Sequence, residues 1–102
     1  MNYKTHNELE NIKTSGTHLQ GYVQTDYNRL VELFGTPSEY GDGHKTDAEW
    51  EVRFEDGTVA TIYNYKTGKN YLGSDGLEVT EIDEWNVGGF NENSVNYIKG
   101  VL

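Results

Sequence analysis

The ten residues DAEWEVRFED, numbered 47–56, constrain the fold of this 102-residue chain more than any other segment. Their apolar side chains alternate strictly with charged ones, which is the pattern of a β-strand with one buried and one solvated face. The Asp56-Gly57 pair at the end of the segment is typical of two-residue turns in β-hairpins. Such a turn places Trp50 opposite Tyr63. The segment therefore predicts an antiparallel hairpin with an apolar face and an acidic face.

The other elements follow from shorter signals of the same kind. Apolar residues spaced as on one helix face run up to Phe34, Gly35 then ends the helix, and Thr25 is the expected N-cap. In chain order the prediction is a strand at 17–24, a helix at 26–34, the two hairpin strands, a fourth strand at 77–87 and a helix at 92–101. This order predicts an α+β fold, a single-domain four-stranded antiparallel sheet (β-α-β-β-β-α) with two helices packed on one face. Residues 1–15 are expected to form a polar N-terminal arm, and residues 16–102 the domain.

The charge of the chain is unbalanced and concentrated in two segments. Acidic residues number 17 against 8 lysines and arginines, and the formal net charge is −9. Residues 47–56 carry five acids and one arginine, and residues 75–92 carry six acids and no base. This balance disfavours direct binding to nucleic acid or to an anionic membrane, because those surfaces attract lysine and arginine. It favours a protein partner with a basic groove.

The acids of the two segments collect on one sheet face if their strands lie side by side. Like charges opposite each other destabilise a sheet, so this surface needs an explanation. One explanation is a solubilising face. The other is a surface whose carboxylates take the place of phosphates in a basic groove. The predicted partner-binding residues are Asp47, Glu49, Glu51, Glu55, Asp56, Glu81, Asp83 and Glu84, together with Trp85, which is either an exposed aromatic anchor or a core residue.

Residues needed for several other functions are missing. The chain has no cysteine, no apolar run long enough to span a bilayer and no known catalytic motif, so we expect no enzyme activity. Asp42, His44 and Asp47 have the best spacing for metal ligands, but an ordinary polar loop explains them more simply, and no metal or cofactor is predicted. Tyr63 and Tyr65 are expected in the core rather than stacked on a ligand.

Five short motifs between Gly16 and Gly89 carry a resemblance to a known family. They are THLQGY, LFGTP, KTDAEW, ATIYNYK and WNVGG. This pattern resembles a family of small proteins encoded by bacteriophages, in which we expect histidine where this chain has Asn86. The resemblance implies expression in the cytoplasm of an infected bacterium, often near genes that counter host defences. The helix, the FGTP stop and the hairpin are also similar to half of the small α/β modules of outer-membrane assembly lipoproteins and β-lactamase inhibitor proteins, which bears on the fold alone.

Three functions are open on this basis. The first, which we expect, is an inhibitor that presents its acidic strands to a host defence protein (CRISPR or restriction) that handles nucleic acid. The second is a protein that sequesters a small nucleotide signal on the strand at residues 63–66, since aromatic rings stack on bases and amides read their edges. The third is a structural or virion accessory domain. A homodimer is compatible with the expected inhibitor.

Overall fold

A computed structural model describes residues 2–38 and 45–102. The strands are β1 (Tyr3–Thr5), β2 (His18–Gln24), β3 (Glu49–Phe54), β4 (Val59–Tyr63) and β5 (Glu84–Gly89). The helices are α1 (Tyr27–Phe34), α2 (Lys69–Leu72) and α3 (Asn93–Val101), with 3-10 turns at Gly73–Asp75 and Val79–Glu81. The described residues thus form an α+β fold on one antiparallel sheet, whose strand order is β1-β3-β4-β5-β2.

The helices α1 and α3 pack on one side of the sheet, here termed the helix face, and the opposite side is termed the second face. At the centre of the helix-face core, the rings of Trp50 and Trp85 meet edge to face with centroids 5.5 Å apart. The Trp50 indole N–H donates a 2.8 Å hydrogen bond to the Gly35 carbonyl oxygen and so links the end of α1 to β3. The helices contribute Leu30, Phe34, Val95 and Ile98 to this core.

The predicted α+β class with a single antiparallel sheet is confirmed, but the prediction of four strands and two helices is wrong. The described residues contain five strands and three helices, of which α2 has only four residues. The additional strand, β1, lies in the segment expected to be a polar arm. The Tyr3 ring packs 5.3 Å from the Phe34 ring and 5.9 Å from the Phe54 ring, measured between centroids. The contacts of Tyr3 thus hold β1 against the core, although a strand of three residues is too short to show an alternating pattern in the sequence.

The hairpin register differs from the prediction by one residue. Trp50 pairs with Ile62 rather than with Tyr63. The loop has three residues instead of two, because the Phe54 N–H donates to the Thr58 carbonyl oxygen at 2.8 Å. Gly57 adopts a φ of 91°, which allows a turn followed by a bulge that suits a three-residue loop. The shift turns Ala60 and Ile62 towards the helices and leaves Thr61 and Tyr63 on the second face.

The predicted strand at 77–87 is also displaced. Residues Val79–Glu81 form a 3-10 turn, and the strand runs from Glu84 to Gly89. Ile82 is nevertheless buried in the core, which explains why the apolar residues of this segment do not share one alternation. The first helix is capped by Asp26 rather than Thr25, since the Asp26 carboxylate accepts a 2.8 Å hydrogen bond from the Arg29 N–H.

Candidate functional site

One row of residues across the second face brings aromatic, amide and acidic side chains together. In cross-strand register lie Glu49 on β3, Tyr63 on β4, Asn86 on β5 and Tyr22 on β2, here termed the tyrosine row. Tyr22 is 49% exposed, and the other three residues are partly exposed. Glu84 lies next to the row, because it points to the same face of β5 as Asn86. The row therefore offers two phenol rings, with the Glu49 carboxylate opposite Tyr63 and the Glu84 carboxylate on the strand between them.

The groups around Tyr63 in the tyrosine row shift the pKa of its phenol. Burial raises the pKa of its phenol, a hydrogen bond with Asn86 opposes this shift, and the charge of Glu49 adds to it. The phenol therefore stays protonated at neutral pH. A protonated phenol presents a hydrogen-bonding hydroxyl and an electron-rich ring face, and a carboxylate beside it supplies negative charge. This combination suits a cationic side chain such as arginine.

The part of the second face formed by β4 next to Tyr63 is covered. Val59 and Thr61 point away from the helices, yet they are only 8% and 5% exposed. Ile12 is 7% exposed and lies outside the helix-face core. The strands β1 and β2 run in the same direction at opposite edges of the sheet, so residues 6–17 between them have to cross it diagonally. We infer that this connection crosses the second face over Val59 and Thr61, which leaves the tyrosine row accessible.

Three of the predicted acidic residues lie on the second face. Glu49 belongs to the tyrosine row, and Glu84 beside it accepts a hydrogen bond from the Gln24 side-chain amide. Glu51 lies further along β3 and, with His6, lines a cleft of about 260 Å³. Because β4 separates β3 from β5, Glu84 is not a direct neighbour of the two glutamates on β3. The three acids thus share a face without forming one contiguous patch.

The other predicted acidic residues lie elsewhere. Glu55 and Asp56 are in the hairpin loop, at the end of the sheet opposite to the start of β5. Glu81 belongs to the 3-10 turn before β5, where its side chain accepts a 2.9 Å hydrogen bond from the backbone N–H of Glu78. Asp83 precedes the strand. The structure therefore divides the expected acidic surface into separate groups, because most of the segment at 77–87 lies outside the sheet.

Trp85 is buried in the helix-face core at 0% exposure, so of the two alternatives the core position is the observed one, and its assignment to partner binding as an exposed anchor is wrong. The strand begins at Glu84, and the alternation of a strand directs Trp85 towards the helices while Glu84 and Asn86 point away. No residue of the described chain accepts a hydrogen bond from its indole N–H. Trp85 therefore acts through packing.

Asp47 and Asn64 hold the fold together rather than face a ligand. Asn64 is 1% exposed, and its Oδ1 accepts hydrogen bonds from the backbone N–H groups of Asp47 at 2.7 Å and Ala48 at 3.1 Å. Its Nδ2 donates to Asp47 Oδ1 at 3.0 Å. The second carboxylate oxygen of Asp47 accepts a 3.2 Å bond from the Asn70 N–H. The amide that the nucleotide hypothesis assigned to base recognition is therefore already used.

Two of the three candidate metal ligands, Asp42 and His44, lie outside the described residues. Within residues 2–38 and 45–102, no group of three His, Cys, Asp or Glu side chains is placed to hold a metal ion. No helix in these two ranges is long and apolar enough to cross a membrane.

The sequence patterns missed Tyr22 and Tyr63 as surface residues. Tyr63 was expected in the core, since a two-residue turn directs it inward, and for β2 the pattern left open whether Tyr22 or Val23 points inward. The residues of β4 distinguish a two-residue hairpin loop from a three-residue one. A three-residue loop buries Ala60 and Ile62, whereas a two-residue loop buries Thr61 and Tyr63, and the first pair is the more apolar.

Removal of the Tyr97 hydroxyl is expected to raise the pKa of Asp56. Hydrogen bonds from Tyr97 Oη at 2.7 Å and from the Thr58 N–H at 2.9 Å hold this pKa below its usual value. Because the pKa is lowered in the folded state, the hydrogen bond stabilises the fold at pH values above the ordinary pKa of aspartate. This stabilisation is lost as the pH falls through the lowered pKa. NMR titration of the Asp56 carboxyl in Tyr97→Phe measures the change. An unchanged pKa contradicts the role of the hydroxyl.

Comparisons with protein-family models, with curated proteins and with solved structures find no match to this chain. The tyrosine row and the acids beside it are thus the basis on which a function can be assigned.

Proposed function

We propose that the protein is a small acidic inhibitor that binds a nucleic-acid-handling protein of a bacterial host through the tyrosine row. The observation that carries the proposal is the accessible position of Tyr22 and Tyr63 on the second face, with Glu49 directly opposite Tyr63 and Glu84 on the strand between the two tyrosines. Exposed aromatic residues surrounded by polar groups are typical of the centres of protein–protein interfaces. The net charge of −9 favours a basic partner and accelerates its association.

An arginine of the partner is the side chain that best fits the row. Its guanidinium group can stack on a tyrosine ring and form paired hydrogen bonds with a carboxylate. The chain contains a comparable arrangement, since Lys66 Nζ lies 5.2 Å from the ring centroid of Tyr65 and 5.4 Å from that of Tyr71. An arginine that normally contacts a phosphate group would thus meet a carboxylate instead.

The resemblance to the bacteriophage family favours a defence protein of the CRISPR or restriction type as the partner. Such proteins hold nucleic acid in grooves rich in lysine and arginine, and binding there competes with the nucleic acid directly. The protein itself has no need to bind DNA or RNA. Its site of action is the cytoplasm of the infected host.

The proposal is tested with two double variants that remove the same charge. Glu49→Gln with Glu84→Gln changes the row and its border, whereas Glu55→Gln with Glu92→Gln changes two exposed acids at the other end of the sheet. A partner captured from bacterial lysate at low salt is purified, and its affinity for each variant is measured at two salt concentrations. We expect the row variant to lose at least about 10-fold in affinity and the second variant to keep it.

A DNA oligonucleotide bound by the captured partner provides the functional readout. The wild-type protein should displace this oligonucleotide, and Tyr22→Ala should not. Equal losses for the two double variants would mean attraction by net charge alone. Affinity that is flat between low and high salt, or a partner that releases no nucleic acid, also contradicts the proposal. Melting temperatures of all variants verify that each is folded.

A further inference from the structure

Two cations of the second face lie directly opposite each other. Lys4 on β1 and Arg53 on β3 are register partners, and both side chains are exposed. Like charges in such positions destabilise a sheet. Among the described residues neither cation forms an ion pair, although the chain has 17 acids and only 8 lysines and arginines. Two cations without an ion pair in the described chain therefore face each other at this corner of an acidic protein.

A cavity of about 320 Å³ lies at the same corner. It is lined by both cations, by Asn2 before β1 and Glu55 in the hairpin loop, and by Tyr3 and Phe54. The Glu55 N–H donates a 2.9 Å hydrogen bond to the Asn2 carbonyl oxygen, and this bond joins the start of β1 to the end of β3. The two elements that line the cavity are thus held at a fixed spacing. A volume near 300 Å³ is at the lower end of the range for small-molecule sites.

We propose that this corner binds the phosphate group of a small phosphate monoester. Side chains at directly opposite strand positions are about 5 Å apart at Cβ, so one anion can contact both Lys4 and Arg53. The guanidinium group forms paired hydrogen bonds with phosphate oxygens, and the ammonium group adds a second charge. A phosphate monoester carries about −1.5 to −2 charges at neutral pH and therefore gains more from two cations than a carboxylate does.

Glu55 limits the ligands that fit. Its carboxylate lines the cavity together with the two cations, so a second or third phosphate group bound there would meet a negative charge. The site therefore favours monophosphates over di- and triphosphates. It lies at the opposite end of the sheet from Glu84 and shares no residue with the tyrosine row, so the two proposals stand or fall separately.

The test is an NMR titration of the whole protein at constant ionic strength. The probes are inorganic phosphate and phenyl phosphate, with acetate as the monovalent comparison. We expect saturable shifts of the amide signals at residues 2–5 and 53–57 with both phosphates, and at least about 10-fold weaker binding of acetate. Lys4→Gln with Arg53→Gln should abolish saturation.

Lys13→Gln with Lys99→Gln is the matched control, since both lysines are exposed, Lys13 lies in the connection between β1 and β2, and Lys99 lies on α3. This variant should bind phenyl phosphate as the wild type does. Equal weakening in the two double variants would show a general charge effect and overturn the proposal. Shifts that fail to saturate in the wild type, or that occur away from residues 2–5 and 53–57, would overturn it as well.

Discussion

Replacement of Asn64 by alanine is expected to destabilise the protein by about 4 kcal/mol, because each buried N–H left without an acceptor costs about 1–3 kcal/mol. Asn64 Oδ1 is the acceptor for two backbone N–H groups, the buried one of Ala48 and the partly buried one of Asp47. The change also removes the bond from Asn64 Nδ2 to Asp47 Oδ1. Since small domains are stable by only about 5–15 kcal/mol, this loss is a large fraction of the total.

Urea unfolding followed by tryptophan fluorescence measures the loss in Asn64→Ala. Asn96→Ala is the control, because Asn96 is exposed on α3, and it should change the stability by less than about 0.5 kcal/mol. If Asn64→Ala also changes the stability by only a small amount, the backbone N–H groups of Asp47 and Ala48 bond to water or to other acceptors in the variant. The network around Asp47 would then have no structural role.

A methyl group at Gly89 is expected to cost about 3 kcal/mol, at the upper end of the range for overpacking. A Cβ at this position would lie 2.4 Å from both Cβ and Oγ of Ser94 and 3.0 Å from the Val59 carbonyl oxygen. Ser94 is fully buried, so α3 would have to move away from the sheet. Gly89→Ala therefore tests whether α3 sits directly on β5.

Gly100→Ala is the matched control, because a Cβ there meets nothing within 4 Å. Alanine is favoured over glycine in a helix, so this variant should gain up to about 1 kcal/mol. The double variant Gly89→Ala with Ser94→Gly should recover part of the loss, since it removes the side chain that causes the clash. Thermal unfolding of Gly89→Ala, Ser94→Gly and the double variant gives the coupling energy between the two positions. A Gly89→Ala protein as stable as the wild type would contradict the packing of α3.

The sequence patterns predicted which residues of β3 point to the second face, but not which residues of the other strands lie beside them. The alternation in residues 49–54 placed Glu49 and Glu51 away from the core, as observed. The neighbours of these acids could not be predicted, because they depend on the loop length of the hairpin and on which strands are adjacent. A shift of one residue in β4 brought Tyr63 to Glu49, and the insertion of β4 between β3 and β5 kept Glu84 apart from both glutamates.

The positions of the charged residues could likewise be predicted only in part. The two acidic segments were visible in the sequence, but the turn at Val79–Glu81 removed part of the second segment from the sheet. The pairing of Lys4 with Arg53 was not visible, because three residues of β1 carry no periodic signal. Both candidate sites thus depend on contacts between segments that are far apart in the chain.

The sequence alone determined the α+β class, the single antiparallel sheet, the helix that ends at Phe34 and the buried face of β3. These features are local, since the alternation of side chains and the cap and stop of a helix depend on neighbouring residues only. The tertiary structure decided the addition of β1, the register of β4, the burial of Trp85 and the exposure of Tyr22. These features depend on packing contacts between segments that are far apart in the chain. Patterns in neighbouring residues do not show which of these contacts form.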